Sequence, residues 1–156
     1  MNLKVSMEDL YPLISRKLEA DGEVTFIVSG VSMQPMIING KDTVTLISPP
    51  KKLKKYDLPF FRLDDGRFVL HRIVKINNDG SYECRGDNRM HSEYNVRPDQ
   101  IIGFATRFTH NNKEYSCKGF AYKLYAWYMV DFFFLRYFWR KKLRPFLARI
   151  KHKIFN

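Results

Sequence analysis

Ser32, His71 and Asp87 follow one another along the chain, each inside a short distinctive word: Gly30-Val31-Ser32-Met33-Gln34-Pro35, Val69-Leu70-His71-Arg72-Ile73-Val74 and Arg85-Gly86-Asp87-Asn88. These residue types suit acyl transfer by a nucleophilic serine. A serine hydroxyl is a weak nucleophile at neutral pH, so it needs a base within hydrogen-bond reach and a third group that orients the base. Histidine suits the base, because a near-neutral imidazole can both accept and return a proton. Asp87 is the expected orienting acid, with Glu93 as the alternative and Asp57 and Asp99 as further competitors. Asp87 could also form an Asx turn, since Gly, Asp and Asn are all turn formers.

The elements that must hold these groups are short. Asp9 is expected to cap a helix whose apolar face is Leu10, Leu13, Ile14 and Leu18, with Pro12 in its first turn. Asp21-Gly22 then turns the chain into a strand over 23–28 that delivers Ser32. Strands are expected at Thr43–Ile47, Leu58–Leu63, Phe68–Ile76 and Ser81–Arg85, with turns at Asp64-Asp65-Gly66 and Asn77-Asn78-Asp79-Gly80. A last hairpin, Ile101–Thr109 with Glu114–Cys117, turns at His110-Asn111-Asn112. Short strands at this spacing predict a mainly β fold, an antiparallel, partly closed sheet with a short N-terminal helix and a C-terminal aromatic, basic helical tail.

The three words in this order resemble the signal peptidase I and repressor-autoprotease clan of serine peptidases. Its nucleophile lies in a Ser-Met-x-Pro word, matched by Ser32, Met33 and Pro35, with Gly30 also fitting. His71-Arg72-Ile73 is similar to the histidine-base branch found in the endoplasmic reticulum and in archaea, where other branches carry lysine. Gly86-Asp87-Asn88 and Ile101-Ile102-Gly103 match later words, and Glu93 stands where a second Asp is usual. The resemblance covers roughly Val24 to Phe108. It implies a serine endopeptidase that cuts an extended precursor after a small residue, the substrate strand adding to an exposed sheet edge. Ser32 would attack, His71 would carry the proton and Asp87 would fix the tautomer. Many members place Ser or Thr two residues before the nucleophile; Gly30 occupies that position, so the oxyanion is expected to rest on backbone N–H groups, including that of Ser32.

Charge is unevenly distributed over the 156 residues. Of the net +11, residues 1–112 carry about +2 and residues 113–156 about +9. Residues 1–22 are interspersed with Lys4, Glu8, Asp9, Arg16, Lys17, Glu19 and Asp21, so no apolar segment of signal-peptide length is expected there. The chain therefore divides into a helical segment 1–22, a catalytic β domain 23–118 and an aromatic, polybasic tail 119–156. The tail runs through Phe120, Tyr122, Tyr125, Trp127, Tyr128, Phe132, Phe133, Phe134, Tyr137, Phe138 and Trp139 into Arg140, Lys141, Lys142 and Arg144. Aromatic residues favour the membrane–water interface and clustered cations favour anionic headgroups. The tail is expected to lie in an anionic membrane surface rather than span it, because Asp131 near its middle would cost about 2.5–3.5 kcal/mol at the bilayer centre. The segment is also about long enough to span a bilayer, with Lys123 and Arg136 snorkelling, and packing of the aromatic stripe in the core or against an oligomer partner is the third reading.

No metal-ligand spacing links the four histidines, and neither metal nor cofactor is expected. His91, His110 and His152 read as surface residues. Cys84 and Cys117 could meet across neighbouring strands, but two cysteines give no disulfide framework and free thiols are the expectation. Three functional classes follow: a membrane-associated signal-peptidase-like endopeptidase, a repressor-type autoprotease or regulatory peptidase without an export role, and a basic nucleic-acid-binding protein. The segment before the first strand is too short for a helix-turn-helix domain, no Ala-Gly hinge precedes Ser32, and no nucleic-acid-binding word is present. The first class is therefore preferred, with a peptide or precursor protein as partner and no nucleic acid.

Overall fold

The computed structural model describes residues 7–20, 22–139 and 141. Lys4, Asp21, His152 and the tail cations Arg140, Lys142 and Arg144 lie outside the described residues. Helix α1 (Met7–Glu19) is followed by strands β1 (Val24–Ile27), β2 (Thr43–Ile47), β3 (Pro59–Arg62), β4 (Phe68–Leu70), β5 (Arg72–Ile76), β6 (Tyr82–Arg85) and β7 (Glu93–Val96). After a 3₁₀ turn come β8 (Ile101–His110), β9 (Lys113–Ser116), α2 (Phe120–Asp131) and α3 (Phe133–Phe138).

All the strand pairs are antiparallel and fall into two sheets. The larger is ordered β1-β2-β8-β3-β4, with β9 also pairing β8; the smaller is β5-β6-β7. Register shifts at Thr45/Leu46 and Phe60/Phe61 bend the large sheet, since a bulge adds local twist, and it curls into a half-barrel. Its hollow is filled by Val44, Leu46, Phe60, Ala105 and Phe108 from the strands, Ile14 and Leu18 from α1, and Met33, Met36 and Ile37 from the segment after β1. A second cluster, Phe61, Ile73, Tyr82, Cys84 and Val96, joins the two sheets.

Four sequence expectations are corrected. Asp9 sits inside the first turn of α1, which starts earlier, and Leu13 is 65% exposed, so the buried stripe is Ile14 and Leu18. The single strand expected over Phe68–Ile76 is two strands in different sheets, β4 pairing β3 and β5 pairing β6, with His71 at the break. Strand β7 was not anticipated, because Glu93-Tyr94-Asn95-Val96 buries only its last residue fully and lacks a clear alternation.

The fourth correction concerns the boundary at residue 118. Helix α2 is no detached tail, for Tyr122 and Ala126 enter the main core and Met129 is buried beside them. Asp131 has a local role: it accepts from Lys55 Nζ at 2.6 Å and from Tyr56 Oη at 2.7 Å. Among the described residues no helix is long and apolar enough to cross a membrane. The opposite side of α2 and half of the α3 residues are exposed, with Phe120 and Phe134 both 82% exposed beside Leu124, Leu135, Phe138 and Trp139.

Candidate active site

The nucleophile word is a tight turn locked to the core. Gly30 has φ of 103°, a conformation that suits glycine, and its N–H donates to Asn39 Oδ1 at 2.8 Å. Met33 is fully buried, anchoring the turn, while Ile37 N–H donates to Met33 O at 3.1 Å. Pro35, exposed, follows a cis peptide bond. Ser32 is half-buried between these anchors and faces a cleft shared with Val28–Met33, Arg67–His71 and Asn88–His91 together with Glu93. Its backbone N–H is engaged by no hydrogen bond among the described residues, which leaves it available to an oxyanion.

His71 stands where the chain crosses from one sheet to the other. Its N–H donates to Pro59 O, and two residues on, Ile73 N–H donates to Asp57 O. Successive side chains of extended backbone point to opposite sides. His71 therefore faces the cleft while Arg72 enters the core, and each meets its own acid. His71 Nδ1 donates to Glu93 Oε2 at 2.6 Å. Because a carboxylate accepts, Nδ1 carries the hydrogen, and in the neutral imidazole this leaves the lone pair on Nε2.

Asp87 does not orient His71. Arg72 Nε and Nη2 donate to its two carboxylate oxygens at 2.9 and 2.8 Å, with side-chain exposures of 0% and 2%. Arg72 Nη1 also donates to Tyr122 Oη at 2.7 Å, and the guanidinium lies over the Tyr122 and Tyr125 rings. Burial opposes the Arg72 charge, but Asp87 and Tyr122 outweigh it and raise its pKa. The acid expected from sequence is thus a structural one, and the alternative, Glu93, occupies the orienting position. Asp57 and Asp99 are engaged elsewhere, with Lys54 N–H and Arg97 respectively.

The Gly-Asp-Asn word holds the two halves together. Asn88 N–H donates to Ser32 O at 2.8 Å, and Asn88 Nδ2 to Val31 O at 3.2 Å. Gly86 fills the remaining gap: a Cβ there would lie 2.7 Å from Ser32 O and 3.0 Å from His71 Nε2. Only a residue without a side chain lets the serine segment and the imidazole approach this closely. Ser32 Oγ and His71 Nε2 are not hydrogen-bonded to each other; such contacts are often open until substrate binds. From the far side, Arg136 of α3 donates to Asp87 O at 2.9 Å and to Met129 O at 2.8 Å, while Arg85 stacks on Phe133 at 3.6 Å.

The remaining candidates divide. His91 is exposed on the cleft rim. His110, expected at the surface, is half-buried and pairs through Nδ1 with Asp42 Oδ2 at 3.2 Å. Cys84 and Cys117 are free thiols. Comparison of the chain with protein-family models, with curated proteins and with solved structures returned no match.

Proposed function

We propose that this protein is a serine endopeptidase of the signal peptidase I and repressor-autoprotease type, using Ser32, His71 and Glu93. One observation carries the reading: His71 is oriented by Glu93 through Nδ1, and its other nitrogen is held beside the Ser32 segment across Gly86. Ser32 Oγ attacks the scissile carbonyl of an extended peptide as His71 Nε2 takes its proton. The tetrahedral oxyanion is met by backbone N–H groups, that of Ser32 among them. His71 then returns the proton to the leaving amine, and water repeats the sequence on the acyl-serine. Glu93 stabilises the imidazolium and keeps one tautomer throughout. The edge strands β1 and β4 of the half-barrel lead into the two walls of the cleft, so a substrate strand has main-chain partners on either side.

The site is peripheral to a membrane in this reading. Support comes from the uncovered aromatic and aliphatic side chains of α2 and α3, which sit on the side of α2 away from the core.

The test is cleavage of a peptide pool randomised around a central alanine, read by mass spectrometry with the purified full chain. Ser32→Ala and His71→Ala are each expected to abolish cleavage while the circular dichroism spectrum is unchanged, because the residues act as a unit. Turnover retained by either variant overturns the mechanism.

A further inference from the structure

Gly86 has a third neighbour. A Cβ on it would also lie 3.0 Å from Arg89 Cγ, so the aliphatic stem of Arg89 packs on the same small gap as His71 Nε2 and the Ser32 carbonyl. Nε2 and Arg89 Cγ are each 3.0 Å from one point, and so lie within twice that distance of each other. The stem is thereby held near the reacting atoms while the guanidinium extends into the exposed cleft rim.

The charges around it are unbalanced. Among the described residues lining the cleft, the one carboxylate is Glu93, and it is bound to His71. Arg67, the second cation of the lining, is already answered by Asp65 through Nε at 2.8 Å. Arg89 donates its backbone N–H to Gly86 O at 2.9 Å, but its guanidinium has no hydrogen bond or ion pair among the described residues. A guanidinium with five fixed donors and no partner, beside a nucleophile, suits a carboxylate that arrives with the substrate.

We infer that the cleft selects peptides carrying an aspartate or glutamate within about two residues of the scissile bond, and that Arg89 is the residue that reads it. The inference rests on the peptidase reading of the same cleft. Arg89 contributes specificity and takes no part in the proton transfers, which belong to His71.

Two measurements on the full chain separate this inference from the reading beneath it. The first is kcat/KM for peptide pairs from the pool that differ only in Asp against Asn, or Glu against Gln, next to the cut. The acidic member is expected to be favoured about tenfold, as for one charge-assisted hydrogen bond at a partly exposed site. Arg89→Gln should bring the ratio to about one and Arg89→Glu should invert it, with 0.5 M salt weakening the wild-type preference because the screening length falls about twofold from its value of about 10 Å at 0.1 M. The second is binding of the same pairs to Ser32→Ala, which needs no turnover. Equal handling of acidic and amide peptides with normal cleavage overturns the inference alone. Carboxylate-dependent binding lost in Ser32→Ala/Arg89→Gln, without any cleavage by the wild type, overturns the peptidase reading and keeps the specificity. Binding and cleavage that both ignore the carboxylate, or an unchanged ratio in Arg89→Gln, remove Arg89 from recognition.

Discussion

His71 Nδ1 donates to Glu93 Oε2 at 2.6 Å, while the neighbouring residue, Arg72, takes both oxygens of Asp87. Two consecutive residues thus engage two acids on opposite sides of one backbone. The assignments predict different failures for the two carboxylates.

Glu93→Gln keeps the shape but lets the imidazole adopt the wrong tautomer, so kcat is expected to fall by roughly 10³–10⁴ with little change in thermal stability. Asp87→Asn leaves Arg72 buried without its counter-charge and is expected to cost about 3–5 kcal/mol of folding free energy. Urea unfolding and steady-state kinetics on both variants decide the matter. A stability loss at residue 93 with a pure kcat loss at residue 87 would reverse the roles.

Gly86→Ala tests the close approach of the Ser32 and His71 segments. Its Cβ would meet Ser32 O at 2.7 Å, a backbone atom that cannot rotate aside, so the serine segment must shift away from His71. A displacement on the order of 1 Å costs about 10²-fold in rate. The check is kcat for Gly86→Ala beside Gly80→Ala, whose added Cβ meets nothing within 4 Å and whose own positive φ makes it a control for strain alone.

The two sides of α2 are expected to respond separately. Tyr122→Ala removes a buried ring and the hydroxyl that Arg72 Nη1 reaches, and should cost about 3–5 kcal/mol; deleting 119–156 should prevent folding rather than release a folded, soluble fragment. Replacing Phe134, Leu135 and Trp139 by serine should leave the melting temperature within a few degrees and reduce co-sedimentation with phosphatidylglycerol vesicles. Vesicle binding that survives the triple substitution would remove the exposed apolar surface from membrane attachment.

The thiols give a pH dependence with a definite sign. Burial pushes Cys117 up to about 12 and raises Cys84 as well, so the folded state holds these protons where the unfolded chain, near about 8.5, releases them. The protonated thiols therefore favour the fold fully below that unfolded value, and the benefit is lost as pH climbs toward 12. Urea midpoints should fall between about pH 8.5 and 11 in the wild type, and less in Cys84→Ala/Cys117→Ala. Native thiols should react slowly with a disulfide reagent at pH 8, and quickly once unfolded.

Sequence by itself determined the parts with local causes. Alternation and turn residues specified most strands of the half-barrel, Gly30 marked the turn before Ser32, and the ordered words pointed to Ser32 and His71, which the fold brings to one cleft. The tertiary structure decided which acid serves His71, because that depends on the sheet crossing at residues 70–72, which sends adjacent side chains to opposite sides. Glu93 was visible only as an alternative, since the weakly patterned β7 that carries it is held by pairing with β6, a non-local register. Two acids beside a His-Arg pair were the available signal that each partner needs its own carboxylate. The tail was misjudged for a related reason: an aromatic stripe reads alike for a membrane and for a core, and only the packing of Tyr122 and Ala126 against the half-barrel distinguishes the buried side of α2 from the open one. Burial is a property of what lies opposite a side chain, and the chain does not write that beside it.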